Sequence, residues 1–289
     1  MRDLERSIAK RDEIERRVAG ANQPWIMSRG LDQYESWLKP TESVGMPLHA
    51  ILRGVAARFK GKPLQALDGG AGIGKALFHL QALHPEFRET HGISLEAHEP
   101  VQIDPGRDRY LKKLAKDGLG VHDVPNPPTL HVADVLNLPF KKGQFHFLMS
   151  NRGAFWYAPM VDKAPGVLLS CFKEADRVVA DGGVMVVHSS RVGHQQRQEI
   201  KNFFRKNGSS VRVVECGRMI PNKGHPSPSV QHEKVVLPND LTDTERESNL
   251  KRILKSKGFD TQRCRPEFWN VWYVEKAANP SVIPALAKA

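Results

Sequence analysis

Short apolar runs and longer stretches with helical spacing succeed one another along most of the chain. Near the amino terminus Leu4, Ile8, Ile14 and Val18 form a narrow stripe among alternating charges, which predicts an amphipathic helix ended by Gly20 and Pro24. A second helix is predicted over about Pro47–Phe59, from Leu48, Ile51, Leu52 and Val55. These two form an amino-terminal helical extension over residues 1–60. The texture changes from Pro63 onward: an apolar run at Leu64–Leu67 meets a glycine cluster, and a helical stretch follows over Lys75–Leu83. Further apolar runs at His91–Leu95, Thr129–Val132, Phe145–Ser150 and Val184–His188 are separated by predicted helices at Arg107–Lys116 and Gly166–Val179. Strands alternating with helices indicate parallel βαβ units and a doubly wound α/β sheet.

Composition narrows the class. Three cysteines, Cys171, Cys216 and Cys264, are far apart and odd in number, which fits a reducing compartment better than a disulfide framework. No apolar run approaches the roughly 20 residues of a membrane-spanning helix, and the charged first residues lack the apolar centre of a signal peptide. The expectation is a cytoplasmic protein with no membrane association. The net charge is +11, and 16 basic against 8 acidic residues fall between Arg191 and Arg265. Such a surplus attracts polyanions and equally describes a solvated basic face, so it leaves RNA open as a partner.

The most informative stretch is Asp68-Gly69-Gly70-Ala71-Gly72-Ile73-Gly74-Lys75. A strand that runs into glycines and then a helix presents backbone N–H groups and a positive helix end to a ligand. The dinucleotide spacing GxGxxG fails, because Lys75 or Leu77 falls where its third glycine belongs. The phosphate-cradling GxxxxGK is met by Gly69 to Lys75, but Ala76 replaces the hydroxyl residue that holds Mg²⁺. A P-loop-like NTPase therefore stays open as a second reading. The third spacing, Asp68-x-Gly70-x-Gly72-x-Gly74, is met throughout.

This spacing resembles the first motif of the class I, Rossmann-like S-adenosylmethionine-dependent methyltransferases, and further stations follow in the family's order. His91–Glu96 resembles the second strand with its acidic end. Val132-Ala133-Asp134-Val135-Leu136-Asn137-Leu138-Pro139-Phe140 resembles the third-strand end with its "D…LPF" loop. Gly143–Asn151 resembles the fourth strand, with His146 in place of the usual Asp. Phe172–Val187 resembles the "E.RVL.PGG" junction into the fifth strand, and Leu250–Phe259 with Phe268–Lys276 the last helix and final antiparallel strands.

The resemblance implies a mostly parallel seven-stranded sheet with helices on both faces in a domain spanning 61–276. It also implies a substrate-side insertion at about 191–243, built from a helix over Gln195–Lys206 and strands at Val211–Cys216 and Lys234–Leu237. A loose tail over 277–289 completes the expected organisation. It implies S-adenosylmethionine as cofactor, bound by Asp68, Gly69, Gly70, Gly72, Glu96, Asp134, Val135 and Asn151. Glu96, with Glu99 behind it, is the candidate for the ribose hydroxyls, since a carboxylate accepts two hydrogen bonds from a vicinal diol, and Ser94, which stands where many relatives carry the acid, stays open as the alternative. Asp134 and the Val135 amide would meet the adenine, although an acid there also suits a turn.

Methyl transfer needs positioning and, for some acceptors, a base. His188 is the candidate base, and Tyr157 with Trp156 would stack on a planar acceptor or pack under the next helix. Asn151-Arg152 lacks the Pro-Pro of the amine-modifying branch. His194, His225 and His232 match no metal-ligand spacing, and no metal is expected. A small-molecule acceptor is slightly favoured over RNA, since no RNA-binding module precedes the core. A catalytically silent methyltransferase-like partner protein is the remaining alternative.

Overall fold

The structure, a computed structural model, describes residues 30–42, 44–94, 108–151, 153–158, 166–221, 233–238, 241–262 and 264–278. The helix expected around Leu4–Val18, Glu96 and Glu99, Arg152, His225 and His232, and most of the expected tail lie outside the described residues.

In chain order the elements are α1 (Leu31–Glu42), α2 (Leu48–Arg58), β1 (Leu64–Gly69), α3 (Lys75–Leu83), β2 (Phe87–Ser94), α4 (Arg109–Lys116), β3 (Thr129–Val132), β4 (Phe145–Ser150), α5 (Ala154–Tyr157), α6 (Gly166–Val178), β5 (Val179–Ser190), α7 (His194–Lys206), β6 (Ser210–Pro221), β7 (Val235–Leu237), α8 (Asp243–Ser256) and β8 (Cys264–Glu275). One sheet runs β3-β2-β1-β4-β5-β8-β6-β7. The pairs from β3 through β5 are parallel; those joining β5, β8, β6 and β7 are antiparallel.

Alternation along the strands sorts two cores. Ala66, Phe147, Met149, Val184 and Val186 face one layer with Leu52 of α2, Leu77 of α3 and Leu111 of α4. Leu67, Leu148, Met185 and Val187 face the other, against Phe155 of α5, Phe172 of α6 and Phe204 of α7. This is the period-2 pattern of strands buried on both faces.

One expectation is corrected. The sheet has eight strands and is mixed, where a mostly parallel seven-stranded sheet was expected. The described residues of the segment at 191–243 take part in the sheet and its second core. Its β6 pairs with β8 from Ser210↔Glu275 to Pro221↔Cys264, and Phe204 of α7 joins the second core. The long apolar run of β6 has a full partner in β8, and burying both is more favourable than leaving β8 as an open edge. Among the described residues no helix is long and apolar enough to cross a membrane.

Candidate functional site

The register of the parallel strands aligns their carboxyl ends. Gly69 lies level with Ile93, Asp68 with Met149, and Ser150 with Val187. One residue further along each strand are Ser94, Gly70, Asn151 and His188, a single row across β2, β1, β4 and β5. Asp134 follows two residues after Val132, which pairs with Ser94. The fold thus brings together Asp68, Gly69, Gly70, Gly72, Asp134, Val135, Asn151 and His188 at the edge where open α/β sheets bind ligands. Tyr157, at the end of α5, is half-buried.

The turn after β1 is built by backbone conformation. Gly70, Gly72 and Gly74 have φ of 131°, 53° and 79°, a region costly for residues with a Cβ. Gly70 is doubly constrained, because a Cβ there would come 2.8 Å from Cα of Gly153. Gly153 is constrained by space alone: its Cβ would fall 2.1 Å from the Gly69 carbonyl oxygen, while its φ of −90° is ordinary. The turns after β1 and β4 therefore touch glycine to glycine. The Ser150 hydroxyl fastens them by donating to the Gly69 carbonyl at 2.6 Å. Gly74 then opens α3 with no side-chain cap, leaving the positive helix end to other partners.

The acids of the site are already engaged. Asp68 is 1% exposed and accepts from the Tyr34 hydroxyl of α1 at 2.5 Å. Asp134 accepts from the backbone N–H of Leu136 at 2.9 Å, closing its own turn. The loop beyond it is clamped from α6. Glu174 accepts from Leu138 N–H at 2.7 Å, and Arg177 donates to the carbonyls of Phe140 and Leu138 at 2.8 and 2.9 Å. The Arg177 guanidinium holds the Glu174 carboxyl below its ordinary pKa. The "E.RV" station thus has a physical role here, which is to hold the loop that follows Asp134. His146, in place of the expected Asp, accepts from the Gln65 N–H at 3.1 Å and keeps a hydrogen bond between β1 and β4.

On the far side His188 is fully buried, 6.5 Å centroid to centroid from Trp37 of α1. Trp37 also meets Trp156 at 5.7 Å and Trp269 at 4.8 Å, with Arg218 and Lys234 over its ring. Trp156, at 3% exposure, packs into this cluster. Lys75, the lysine of the imperfect GxxxxGK, lies 3.4 Å from Asp108, which His79 also approaches at 3.3 Å. Burial alone would raise the Asp108 carboxyl, but the Leu111 N–H and these two neighbours hold it below its usual range. Asp108 also caps α4 through the N–H groups of Tyr110 and Leu111. Lys75 is therefore committed to an ion pair with the cap of α4. Among the described residues no group of three or more His, Cys, Asp or Glu could hold a metal ion.

Sequence reasoning missed α1 with its Tyr34 and Trp37, and it missed Gly153. The first had a signal, since Leu31, Tyr34, Trp37 and Leu38 share one helical face; the second, a contact between distant loops, had none.

The fold is a doubly wound α/β sheet whose parallel half, β3-β2-β1-β4-β5, continues into an antiparallel edge, β8-β6-β7. No family model matches the chain, and no curated protein matches it in sequence. Solved structures similar to it include YcgJ from Bacillus subtilis, at 12% identity over 80% of this chain and 100% of that one, with a TM-score of 0.42. Another is geranyl diphosphate C-methyltransferase from Streptomyces coelicolor, solved with geranyl diphosphate and S-adenosyl-L-homocysteine, at 13% identity, 80% and 78% coverage and a TM-score of 0.39. A third is an S-adenosylmethionine-dependent methyltransferase from Methanosarcina mazei, at 14% identity, 75% and 95% coverage and a TM-score of 0.35. Likenesses this distant concern the fold and carry nothing about what this chain acts on.

Proposed function

We propose that the chain is an S-adenosylmethionine-dependent methyltransferase. The observation that carries this reading is the row at the sheet's carboxyl edge, with three left-handed glycines between Asp68 and α3 and Asp134 two residues beyond β3. The donor set fits the cofactor. An uncapped helix end suits its carboxylate, the glycine turn admits a ligand close to the backbone, and Asp134 with the Val135 amide suits adenine. Asp68 acts from beneath the turn, Gly69, Gly70 and Gly72 line it, and Asn151 closes the β4 side; Glu96 is the proposed partner of the ribose.

The cofactor supplies a methyl group on a sulfonium, already activated for in-line displacement. The protein's task is then to position the acceptor and exclude water. His188 is the proposed base, with Tyr157 as a further proposed catalytic residue, and the Trp37–Trp156–Trp269 cluster keeps the imidazole out of bulk solvent. A small-molecule acceptor is favoured over RNA because part of the basic surplus is internal. Arg197 and Arg246 are buried against Glu215, and Arg218 pairs with Glu267. The pairing of Lys75 with Asp108 weighs against the NTPase reading.

Calorimetric titration with S-adenosylmethionine, S-adenosylhomocysteine and Mg-ATP tests the proposal. The first two should bind, and Mg-ATP should not. Asp134→Ala should weaken S-adenosylhomocysteine about tenfold, the scale of one lost hydrogen bond. Asp134→Asn, which can still accept from Leu136, should weaken it less. Binding of Mg-ATP alone would overturn the proposal.

A further inference from the structure

We infer that α1, which precedes every motif of the chain, is part of the cofactor site, and that Tyr34 is its positioning residue. This rests on the methyltransferase reading above. The helix lies along the carboxyl edge and is tied at several points. At its start the Leu31 N–H donates to His79 Nδ1 of α3 at 3.2 Å, so it is fixed to the helix that the glycine turn opens. One turn on, the Tyr34 hydroxyl meets Asp68, both residues being buried. Two residues later the Ser36 carbonyl and hydroxyl accept from Lys234 at 2.7 and 2.6 Å. Trp37 then packs against Trp156, Trp269 and His188. One rigid element therefore spans from the glycine turn to the proposed base.

The chemistry at Asp68 explains why the hydroxyl matters. A carboxylate shut away from water needs donors, and a phenol supplies a short, directional one. Asp68 is also the last side chain before Gly69 and Gly70, whose backbone is fixed on the other side by Ser150 and Gly153. Removing the Tyr34 hydroxyl takes a short donor from this buried carboxylate, which then shifts its proton affinity or its orientation toward its remaining contacts. Either response moves the start of the turn whose amides would receive the cofactor. The tyrosine does not touch the cofactor in this scheme; it acts through Asp68.

The test is a double-mutant cycle on the full chain, comparing wild type, Tyr34→Phe, Asp68→Asn and the double variant. S-adenosylhomocysteine affinity is read by calorimetry, and melting temperature with and without that ligand. Tyr34→Phe should weaken binding about tenfold and shrink the ligand-induced melting shift. Added to Asp68→Asn, it should cost nothing further. A purely structural role would lower the ligand-free melting temperature and leave affinity unchanged. Tyr34→Phe binding within twofold of wild type, or full additivity of the two substitutions, would overturn the inference. Should Asp68→Asn fail to fold, the affinity and melting shift of Tyr34→Phe decide alone. Absence of binding by the wild type would instead sink the methyltransferase reading itself.

Discussion

Gly153→Ala probes the contact between the two edge turns, because φ at Gly153 is −90°, outside the left-handed region, and a Cβ there lacks space. The added methyl would lie 2.1 Å from the Gly69 carbonyl oxygen and 3.0 Å from Gly70 Cα. Carbon and oxygen do not approach much closer than about 3 Å, so the turns must part by about 1 Å. Overpacking of this kind costs about 1–3 kcal/mol. The same movement would stretch the 2.6 Å bond from Ser150 to Gly69 past useful length, losing about 1 kcal/mol more. The expected destabilisation is about 2–4 kcal/mol, measured by urea unfolding followed through tryptophan fluorescence. S-adenosylhomocysteine affinity should fall at least tenfold, because a 1 Å displacement in a preorganised site is costly. Gly54→Ala is the control: a Cβ there, on the exposed face of α2, meets nothing within 4 Å, so stability should not fall and should rise by about 0.5–1 kcal/mol. Wild-type stability and affinity in Gly153→Ala would refute the idea that the turns are packed glycine to glycine.

Glu215 of β6 lies buried between Arg197 at 3.0 Å and Arg246, so Glu215→Gln should destabilise by about 3–5 kcal/mol in urea. A loss under 1 kcal/mol would mean that the three do not act as a charge cluster. Burial first, then the charges of His49 and Arg53, bring the His84 imidazole down to about 4. The unfolded chain takes up that proton below about pH 6.5 while the folded one refuses it. The share of stability involved is full above pH 6.5 and is lost as pH falls toward 4, amounting to about 3 kcal/mol. His84→Gln should flatten the slope of unfolding free energy against pH in that window, and an unchanged slope would refute the assignment.

What the sequence made legible depended on how local the signal was. The Lys75–Leu83 helix has the boundaries its pattern predicted, because glycines precede it and His84-Pro85 stops it. Thr129–Val132 and Phe145–Ser150 were equally plain, each being a short apolar run set off by polar and glycine or proline residues. By contrast α1 contains Pro40, a residue that reads as a helix breaker, and no motif drew attention to it. The place of β6 is a non-local property. Its apolar run was legible as a strand, but nothing within Arg191–Asp243 says that β8 is its partner, and only that pairing gives it a place in the sheet.

The same distinction bears on what the motif acids mean. A glycine turn that served packing alone would need no buried carboxylate at its entry, since burying one without donors is costly. Here the carboxylate of Asp68 is retained, and a separate helix brings it a hydroxyl. Asp134 spends one oxygen on its own turn, while Glu174 and Arg177 hold the backbone that follows it. Asp68 and Asp134 are thus each oriented by bonds within the chain, and that ordering cost is met during folding. The proposed polar ligand would use such an arrangement, and a scaffold would hold it only for stability. The test of that distinction is the coupling between Tyr34 and Asp68: a shared effect on ligand affinity belongs to a site, and independent effects on stability alone belong to a scaffold.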